Sequence, residues 1–324
     1  MIGGGSWATA LVKILNQNGH TVNWWLRSKH AADWLRAHNH NPRYLGSIKF
    51  QPELIIPSND IKVVISQVDI IFLAVPAAFL SGVLTRLSYE DFEGKILVSA
   101  IKGMIPFDNL IIAEYLEKYF KVSFENTVII SGPSHAEEIA LEKLSYLTLA
   151  CPDILNSTLV CNLLRCNYLR CTESDDIYGT EYGAVLKNIY ALCSGICHGL
   201  GYGDNFQAVF ISNAIEEMER FVKAVHPINR DIKDSAYLGD LLVTAYSQFS
   251  RNRTLGTMIG KGYSVQAALL EMNMIAEGYN AAKCIHEVNK HYQVNLPICE
   301  ATYRILYEEA EPGKEMEKVS AVLS

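Results

Sequence analysis

The chain opens with "MIGGGSWATALVKILNQNGH" (residues 1–20), a glycine cluster that leads directly into a helical pattern of apolar residues. The spacing Gly3-x-Gly5-x-x-Ala8 matches the fingerprint of a dinucleotide-binding turn. In that turn the first glycine makes a tight bend, the second lets the backbone approach a pyrophosphate, and the small third residue lets the helix pack on the sheet. The alternative is a glycine-rich start to an ordinary helix. The helical pattern ends at an Asn-Gly stop, as expected for a helix that follows a nucleotide-binding strand.

The next segment, "TVNWWLR" (21–27), is short and rich in β-branched and aromatic residues, so it predicts a strand. Turn, helix and strand therefore follow one another in the order of a βαβ unit. Only Met1 and Ile2 precede the first glycine, although a strand of about five residues is expected there. This short start suggests a start codon assigned too late, or a trimmed chain that naturally begins upstream.

The residues after this second strand bear on the choice of dinucleotide. A carboxylate there would bind the ribose 2′-hydroxyl of NAD, whereas an arginine accommodates the 2′-phosphate of NADP. The chain has Arg27-Ser28-Lys29-His30 and no acidic residue at this point. A solvated loop is the alternative interpretation. The sequence favours NADP (NADPH) as cofactor and leaves NAD possible.

Further strand-length apolar runs follow, each bounded by turn residues: 68–76, 95–103, 127–134 and 145–151. Their hydrophobicity is continuous rather than alternating, which is typical of parallel strands covered by helices on both faces. An amphipathic stretch at 107–120 has the length of a connecting helix. We therefore predict a Rossmann-type, doubly wound α/β domain over residues 1–175.

Ligands of such sheets bind at the carboxyl ends of the strands, so the residues that end these runs are candidate contacts. They are Val75-Pro76, Lys102-Gly103 and Gly132-Pro133-Ser134. A lone lysine at a strand end is usually a solvated loop residue. At Lys102 the alternative is an ammonium group directed at an anionic substrate.

After about residue 175 the strand-like runs give way to helical patterns, which predict an all-α domain over 176–324. The stretch "GTEYGAVLKNIYALCSGICHGLGYG" (179–203) places Lys187 and Asn188 within a largely apolar helix. Such a lysine either extends its ammonium group to water or is a buried amine whose lowered pKa suits it to proton transfer. The local context alone favours the first reading.

Two further stretches of this half concentrate polar groups. "LGDLLVT" (238–244) carries Asp240 next to an apolar run, and "FSRNRTLG" (249–256) presents Ser250, Arg251 and Asn252 in succession. Hydroxyl, guanidinium and amide donors suit a phosphate, and arginine can bind one with two parallel hydrogen bonds. A solvated basic turn is the alternative.

Composition limits the class of protein. The 324 residues are 49% hydrophobic and 19% charged, as expected for a folded two-domain chain. The net charge of −7 argues against a general nucleic-acid or membrane-surface binder, so an anionic ligand must meet a local basic site. The longest apolar run, 69–80, is too short to span a membrane, and no signal peptide is evident, so we expect a cytoplasmic protein. The segment 308–318 resembles a mobile acidic tail.

The eight cysteines form no CxxC pair and no zinc-binding pattern with histidine, so we expect reduced thiols and no metal site. A metal site at Cys161, Cys166 and Cys171 is the alternative, but no second pair of ligands accompanies that spacing.

Taken in order, the motifs resemble those of the bacterial NAD(P)-dependent glycerol-3-phosphate dehydrogenases over nearly the whole chain. The stretches that carry the resemblance are "GGGSWATAL" (3–11), "NPRYL" (41–45), "LAVP" (73–76), "AIKG" (100–103), "SGPSHAEE" (131–138), "GAVLKNIYA" (183–191), "GLGYGDN" (199–205), "LGDLLVT", "SRNR" (250–253) and "AEGY" (276–279).

The resemblance implies reduction of dihydroxyacetone phosphate to sn-glycerol 3-phosphate with NADPH or NADH, feeding glycerophospholipid synthesis, by a homodimer. It makes Lys187 the catalytic proton donor and acceptor. The substrate contacts that it implies are Lys102, Gly132, Ser134, Lys187, Asp240, Ser250, Arg251 and Asn252. To the cofactor-binding residues Gly3 and Gly5 of the fingerprint it adds Ser6, Trp7, Arg27, Tyr44, Lys102, Ala136, Arg251, Ile275 and Glu277.

Two departures lower the positive charge expected around the site. The family usually has "TRG" where this chain has Ile211-Ser212-Asn213, and "RNRR" where it has "RNRT". Two other functions compete with the resemblance. A 2-hydroxyacid or ketopantoate-type reductase on the same plan should lack the "SRN" cluster, and a noncatalytic NADP-binding sensor would have no need of Lys187 beside Asn188.

Overall fold

A computed structural model describes residues 1–272 and 274–324. The chain divides into two compact units, one formed by residues 1–101 and 112–177 and the other by 102–111 and 178–324. Each unit buries a large apolar cluster of its own. The short segment 102–111 thus packs with the second unit although it lies within the sequence of the first.

The first unit is built on a predominantly parallel sheet. Its strands are β1 (Val22–Trp25), β2 (Ile55–Ser58), β3 (Ile70–Leu73), β4 (Ile96–Ser99), β5 (Thr127–Ser131), β6 (Ser145–Ala150) and β7 (Leu169–Ser174). β1 pairs with β2, and β3 to β7 pair in sequence order, with only the β5–β6 pair antiparallel. The predicted α/β sheet is therefore confirmed. The pattern missed β2 and β7, which lie at the ends of the sheet and carry a proline or alternating polar residues.

Residues 1 and 2 occupy the position of a strand between β1 and β3. Ile2 forms parallel bridges to Trp25 and to Leu73. Its N–H donates to Phe72 O at 2.7 Å, and its carbonyl accepts from Ala74 N at 2.9 Å. The two residues that precede the glycine turn thus connect the β1–β2 pair to the larger sheet and direct the chain into the turn.

Seven helices belong to the first unit. They are α1 (Ser6–Gln17), α2 (Lys29–His38), α3 (Ile61–Ile65), α4 (Ala77–Leu84), α5 (Ile112–Phe120), α6 (Ala136–Ala140) and α7 (Ile154–Leu164). Helix α5 begins five residues later than the amphipathic pattern at 107–120 predicted. Phe107 and Asn109 adopt left-handed backbone angles, with φ of 71° and 55°, which a right-handed helix does not accommodate.

The second unit is helical, as the sequence predicted. It contains α8 (Ile177–Gly199, which starts at the boundary), α9 (Asp204–Val225), α10 (Asp240–Tyr246), α11 (Arg251–Gly260), α12 (Val265–Glu271), α13 (Glu277–Tyr292), α14 (Pro297–Tyr307) and α15 (Pro312–Ser320). A five-residue π-helical turn, Ser235–Gly239, leads into α10. No helix of the described residues combines the length and the apolar composition needed to cross a bilayer.

Helices α8 and α11 approach each other through glycines. A Cβ atom on Gly256 would lie 1.9 Å from the carbonyl oxygen of Leu192, and one on Gly195 would lie 2.2 Å from that of Arg253. Distances this short mean that backbone packs on backbone, which no larger residue permits. The contact holds α11 along the C-terminal half of α8.

The prediction of a mobile acidic tail at 308–318 is wrong for most of that segment. Residues from Pro312 onward form α15, and Met316 is fully buried with its sulfur 3.3 Å from Cys197 Sγ. Glu315 is also buried, and its carboxylate binds Arg304 and Lys318 at 2.6 Å each. The segment is rich in charged residues, but Met316 and Val319 lie at helical spacing and form the buried face of α15.

The eight cysteines are free thiols in this structure. Within the described part of the chain, no group of three or more His, Cys, Asp or Glu side chains is arranged to hold a metal ion.

Candidate active site

Lys187 lies in the middle of α8, and its ammonium group is buried. Only 6% of the side chain is exposed. Its Nζ donates to Asp240 Oδ1 at 2.5 Å and to Thr244 Oγ1 at 2.9 Å. The side chain therefore does not extend to water, and the reading that the local sequence favoured does not describe this lysine.

Asp240 is the carboxylate around which the site is organised. It is the first residue of α10 and is 1% exposed. While Oδ1 accepts from Lys187, Oδ2 accepts from Lys102 Nζ at 2.9 Å. Two lysines that are 85 positions apart in the chain thus share one buried carboxylate, and both were predicted from sequence as substrate contacts.

The electrostatics of this cluster adjust the proton affinity of Lys187. Burial is the largest influence and, with Lys102 acting in the same direction, lowers the pKa of Lys187 to about 7 against the opposing effect of Asp240. Burial by itself raises the pKa of Asp240, but the two lysines outweigh it and hold that pKa below its usual value. An amine with a pKa near neutrality can both give and take a proton at physiological pH.

Thr244 orients the lysine, and the sequence analysis missed it. Its hydroxyl accepts a hydrogen bond from Lys187 and donates its own proton to the backbone carbonyl of Asp240 at 2.6 Å. Because that proton is committed, only the oxygen lone pairs face the amine. The available signal was the i, i+4 spacing from Asp240, which places both side chains on one face of a helix.

A pair of asparagines connects the elements around the cluster. Asn188 donates to Lys102 O at 2.8 Å and accepts from Asn252 Nδ2 at 2.8 Å. Asn252 Oδ1 in turn accepts from the backbone N–H of Gly278 at 2.9 Å. These bonds join α8, the 102–111 segment, α11 and α13, so the predicted phosphate ligand Asn252 also has a role in holding the site together.

The other two residues of the "SRN" cluster begin α11. Ser250 is its N-cap, and its Oγ accepts from Arg253 N at 3.3 Å. Arg251 is the first residue of the helix and is half-buried. Backbone N–H groups and the helix dipole favour an anion at such an end. The predicted cofactor contacts Ile275 and Glu277 lie immediately before and at the start of α13, and both are half-buried.

In the first unit, the glycine turn has the geometry that its fingerprint requires. Gly3 has φ of 129°, and a Cβ there would lie 2.3 Å from the carbonyl oxygen of Ala74. Gly5 is the N-cap of α1, has no side chain to cap the helix, and faces open space where a Cβ would be. Ser6 and Trp7 follow as the first helical residues. This combination fits a dinucleotide pyrophosphate at the helix start.

The predicted 2′-phosphate contact lies at the end of β1. Arg27 is exposed, and its guanidinium has no partner among the described residues. Ser28 caps α2 by accepting from Ala31 N at 3.1 Å, which directs the chain away after Arg27. Tyr44 belongs to the loop after α2, where its N–H donates to Asn41 Oδ1 at 3.1 Å. Arg27 is thus available to an anionic ligand.

The remaining predicted contacts of this unit follow β5. Gly132 has φ of 101°, and a Cβ there would lie 2.8 Å from Tyr146 O, so glycine is required. Ser134 donates its hydroxyl to Gly132 O at 3.0 Å. Ala136 is buried at the first position of α6. All three lie beyond the carboxyl end of a central strand, where ligands of such sheets bind.

Two family models match this chain in succession. The model of the NAD-dependent glycerol-3-phosphate dehydrogenase N-terminus matches residues 1–156, and that of the C-terminus matches residues 176–317. The chain belongs to the NAD-dependent glycerol-3-phosphate dehydrogenase family. The resemblance inferred from the ordered motifs is therefore confirmed, as is an NAD(P)-type cofactor for the family.

Relatives in this family align along almost the full chain. The chain is 34% identical over 320 residues to a glycerol-3-phosphate dehydrogenase (NAD(P)+) from an Exiguobacterium species, covering 98% of this chain and 94% of the relative. It is 32% identical over 319 residues to the enzyme of the same name from Oceanobacillus iheyensis, covering 98% and 92%. The crystal structure of glycerol-3-phosphate dehydrogenase from Coxiella burnetii matches with a TM-score of 0.91 at 28% identity, covering 98% and 97%.

Proposed function

We propose that this chain reduces dihydroxyacetone phosphate to sn-glycerol 3-phosphate with NADPH or NADH and so supplies glycerophospholipid synthesis. The single observation that carries the proposal is the buried Lys187 amine, held between Asp240 and Thr244 with its pKa lowered to about 7. In this proposal residues 1–175 form the dinucleotide-binding domain, and residues 176–324 form the helical substrate and catalytic domain that contains Lys187.

The proposed chemistry separates into two transfers. A dinucleotide held at the glycine turn would supply a hydride for the carbonyl carbon of the substrate. Lys187 donates a proton from Nζ to the developing alkoxide oxygen, so charge does not accumulate there. Asp240 and Thr244 hold the amine in one position, which removes the entropic cost of aligning it in each turnover. The neutral amine then regains a proton, and in the oxidative direction it accepts one from the substrate hydroxyl.

Substrate binding is assigned to a set of cationic and hydrogen-bond-donating residues. Lys102, Arg251 and the Asn252 amide supply positive charge and hydrogen bonds for the phosphate. Ser250, Gly132 and Ser134 complete the proposed substrate contacts. Support comes from the start of α11, where a half-buried arginine and helical N–H groups coincide.

The proposed cofactor contacts begin at the glycine turn, where Gly5 leaves room for a pyrophosphate at the start of α1. The full proposed set is Gly3, Gly5, Ser6, Trp7, Arg27, Tyr44, Lys102, Ala136, Arg251, Ile275 and Glu277. An exposed Arg27 without a carboxylate neighbour at the end of β1 supports NADPH over NADH.

We further propose that the enzyme acts in the cytoplasm as a homodimer. Size-exclusion chromatography with light scattering would show twice the chain mass of 36.2 kDa. A mass of one chain at assay concentrations would contradict the dimer.

The decisive experiment replaces the proposed proton donor. Lys187→Met keeps the apolar stem but removes the ammonium group, so we expect kcat for dihydroxyacetone phosphate reduction to fall by ~10²–10⁴-fold with NADPH affinity retained. Lys223→Met, on the exposed face of α9, is the matched control and should retain full activity. Melting curves exclude unfolding as the cause.

A Lys187→Met enzyme with more than about a tenth of the wild-type kcat would remove the residue from this role. Arg251→Ala provides the contrast, because loss of a phosphate contact should mainly raise KM. If the wild-type protein does not reduce dihydroxyacetone phosphate but does reduce a 2-oxo acid, the rival reductase is favoured.

A further inference from the structure

The second unit contains a cavity that the proposed reaction does not use. It has a volume of about 380 Å³ and lies between the end of α8, the segment that precedes α11, and α11 itself. Six of its lining residues are His198, Ser247, Arg253, Met258, Lys261 and Tyr263. This volume is within the range of small-molecule sites.

The charged groups that line the cavity are of one sign. Arg253, Lys261 and His198 line it, and no carboxylate does. Arg253 is half-buried, and neither its guanidinium nor the Lys261 ammonium has an ion-pair or hydrogen-bond partner among residues 1–272 and 274–324. In a chain of net charge −7, an unneutralised basic cavity is the feature expected of an anion site.

Arg253 lies in the first turn of α11 and Lys261 directly follows its last residue, two i, i+4 steps further on through Thr257, so both lie along one face. Asn252 precedes Arg253 by one position, about 100° around the helix, and its side chain binds Asn188 and Gly278 instead. Lys261 is about 13 Å further along the axis than Asn252. Asn252 is not among the residues that line the cavity, and the cavity lies on a different face of α11 from the asparagine pair.

The uncharged groups that line the cavity indicate what else a ligand could contact besides the cations. The hydroxyl of Ser247 accepts from Phe249 N at 3.1 Å, which leaves its proton available to an acceptor in the cavity. By contrast, the Thr257 hydroxyl already donates to Arg253 O at 2.9 Å. Met258 and the half-exposed ring of Tyr263 supply an apolar wall, which bare phosphate would not use.

We propose that this cavity binds a small organic phosphate at a site separate from the one where the reaction occurs. Arg253 offers paired N–H donors to the phosphate oxygens, and Lys261 adds a second positive charge. Ser247 donates a third hydrogen bond, and the organic part lies against Met258 and Tyr263. The phosphate ester can be the enzyme's own substrate or another metabolite of the same chemistry.

The test uses the full-length Arg251→Ala protein, in which the proposed substrate contact is weakened, and titrates it calorimetrically with three probes. These are phenyl phosphate, inorganic phosphate and dihydroxyacetone phosphate. We expect saturable binding of phenyl phosphate, tighter than that of inorganic phosphate, and a loss of at least about tenfold on adding either Arg253→Ala or Lys261→Ala. Lys223→Ala is the matched control and should change nothing.

The third probe identifies the source of the ligand. If dihydroxyacetone phosphate binds and Arg253→Ala abolishes that binding, the cavity takes the enzyme's own substrate, whereas binding of phenyl phosphate alone indicates another phosphate ester. Absence of saturable binding by all three probes would overturn the proposal. So would binding of phenyl phosphate that is unaffected by both cavity variants, or no tighter than inorganic phosphate. Lys261→Ala guards against misfolding, because that lysine is exposed at the end of α11.

Discussion

A single carboxylate, Asp240, is held between two lysine ammonium groups at the proposed active site. The bonds of 2.5 Å to Lys187 and 2.9 Å to Lys102 neutralise part of the positive charge and fix both amines. Without Asp240 the two largely buried ammonium groups would repel each other with little screening by water. The pKa of Lys187 is therefore a property of the whole cluster, and residue-scale predictions follow from it.

The two directions of the reaction should have opposite pH dependence. Reduction needs protonated Lys187, and because burial lowers its pKa to about 7, kcat/KM for dihydroxyacetone phosphate should fall as the pH rises through about 7. Oxidation of glycerol 3-phosphate needs the neutral amine and should gain over the same range. Steady-state kinetics from pH 5.5 to 9.5 measure both.

Asp240→Asn sharpens this test, because removing the carboxylate removes the influence that raises the pKa of Lys187. The reductive profile of the variant should move to lower pH. Parallel profiles in the two directions for the wild type, or a variant profile that moves to higher pH, would contradict the proposed proton donor.

Arg27 gives the second prediction at this scale. Arg27→Asp removes a contact with the 2′-phosphate and adds repulsion, so the KM for NADPH should rise at least tenfold more than that for NADH. The matched control is Arg86→Asp. Arg86 is also exposed and lies far along the chain from the glycine turn, so its substitution should leave the ratio of the KM values for NADPH and NADH unchanged. Equal losses for both cofactors would contradict the assignment.

The elements of the second unit are held in register by the glycine contact between α8 and α11. Gly195, Gly199, Gly256 and Gly260 let the helix backbones meet, and the Asn188–Asn252 hydrogen bond lies about one turn from this contact. The element that carries Lys187 and the element that begins with the "SRN" cluster are thereby fixed relative to each other. Their spacing depends on residues that are not themselves chemical groups of the site.

Gly256→Ala should therefore both destabilise the protein and impair catalysis. Its Cβ would lie 1.9 Å from Leu192 O, a clash with backbone that no rotamer relieves, so we expect a loss of about 1–3 kcal/mol in the free energy of unfolding of the second unit. Urea unfolding and steady-state kinetics measure the two effects. Gly82→Ala in α4 is the matched control, because its Cβ meets nothing within 4 Å and should stabilise by about 0.5–1 kcal/mol. Similar behaviour of both variants would contradict the role assigned to the contact.

At the scale of the whole molecule, each of the two compact units has a large apolar cluster of its own. Ile14 belongs to the cluster of the first unit and Ile189 to that of the second, and both are fully buried. The 102–111 segment joins the second core through Met104 and Ile111. We therefore expect each unit to unfold in a step of its own, so that each has its own free energy of unfolding.

We expect calorimetric unfolding to depart from a two-state transition, with a van't Hoff enthalpy below the calorimetric one. Ile14→Ala and Ile189→Ala should each cost about 2–5 kcal/mol, and each should lower a different part of the transition. Hydrogen exchange would place the loss of protection in the unit that carries the substitution. One two-state transition, shifted equally by both variants, would contradict independent cores.

Much of the fold follows from local sequence. The glycine turn at residues 3–5, the continuous apolar runs and the change to helical periodicity after residue 175 each depend on neighbours within a few positions, so they could be read directly. The ordered motifs also determined the family. The pattern failed at the edge strands and at α15, where burial of a few side chains outweighs an unfavourable local composition. It also failed at the start of α5, where left-handed backbone angles at Phe107 and Asn109 delay the helix.

The geometry of the candidate site was decided only by the tertiary structure. Sequence named Lys102, Lys187 and Asp240 singly, but Asp240 is 53 positions from Lys187 and 138 from Lys102, and no local pattern encodes their contacts. Thr244 and the Asn188–Asn252 bond became visible only with the packing of α8, α10 and α11. Whether a lysine reaches water or loses its proton near neutrality depends on how many atoms surround it and which charges face it, and the chain brings those atoms together only by folding.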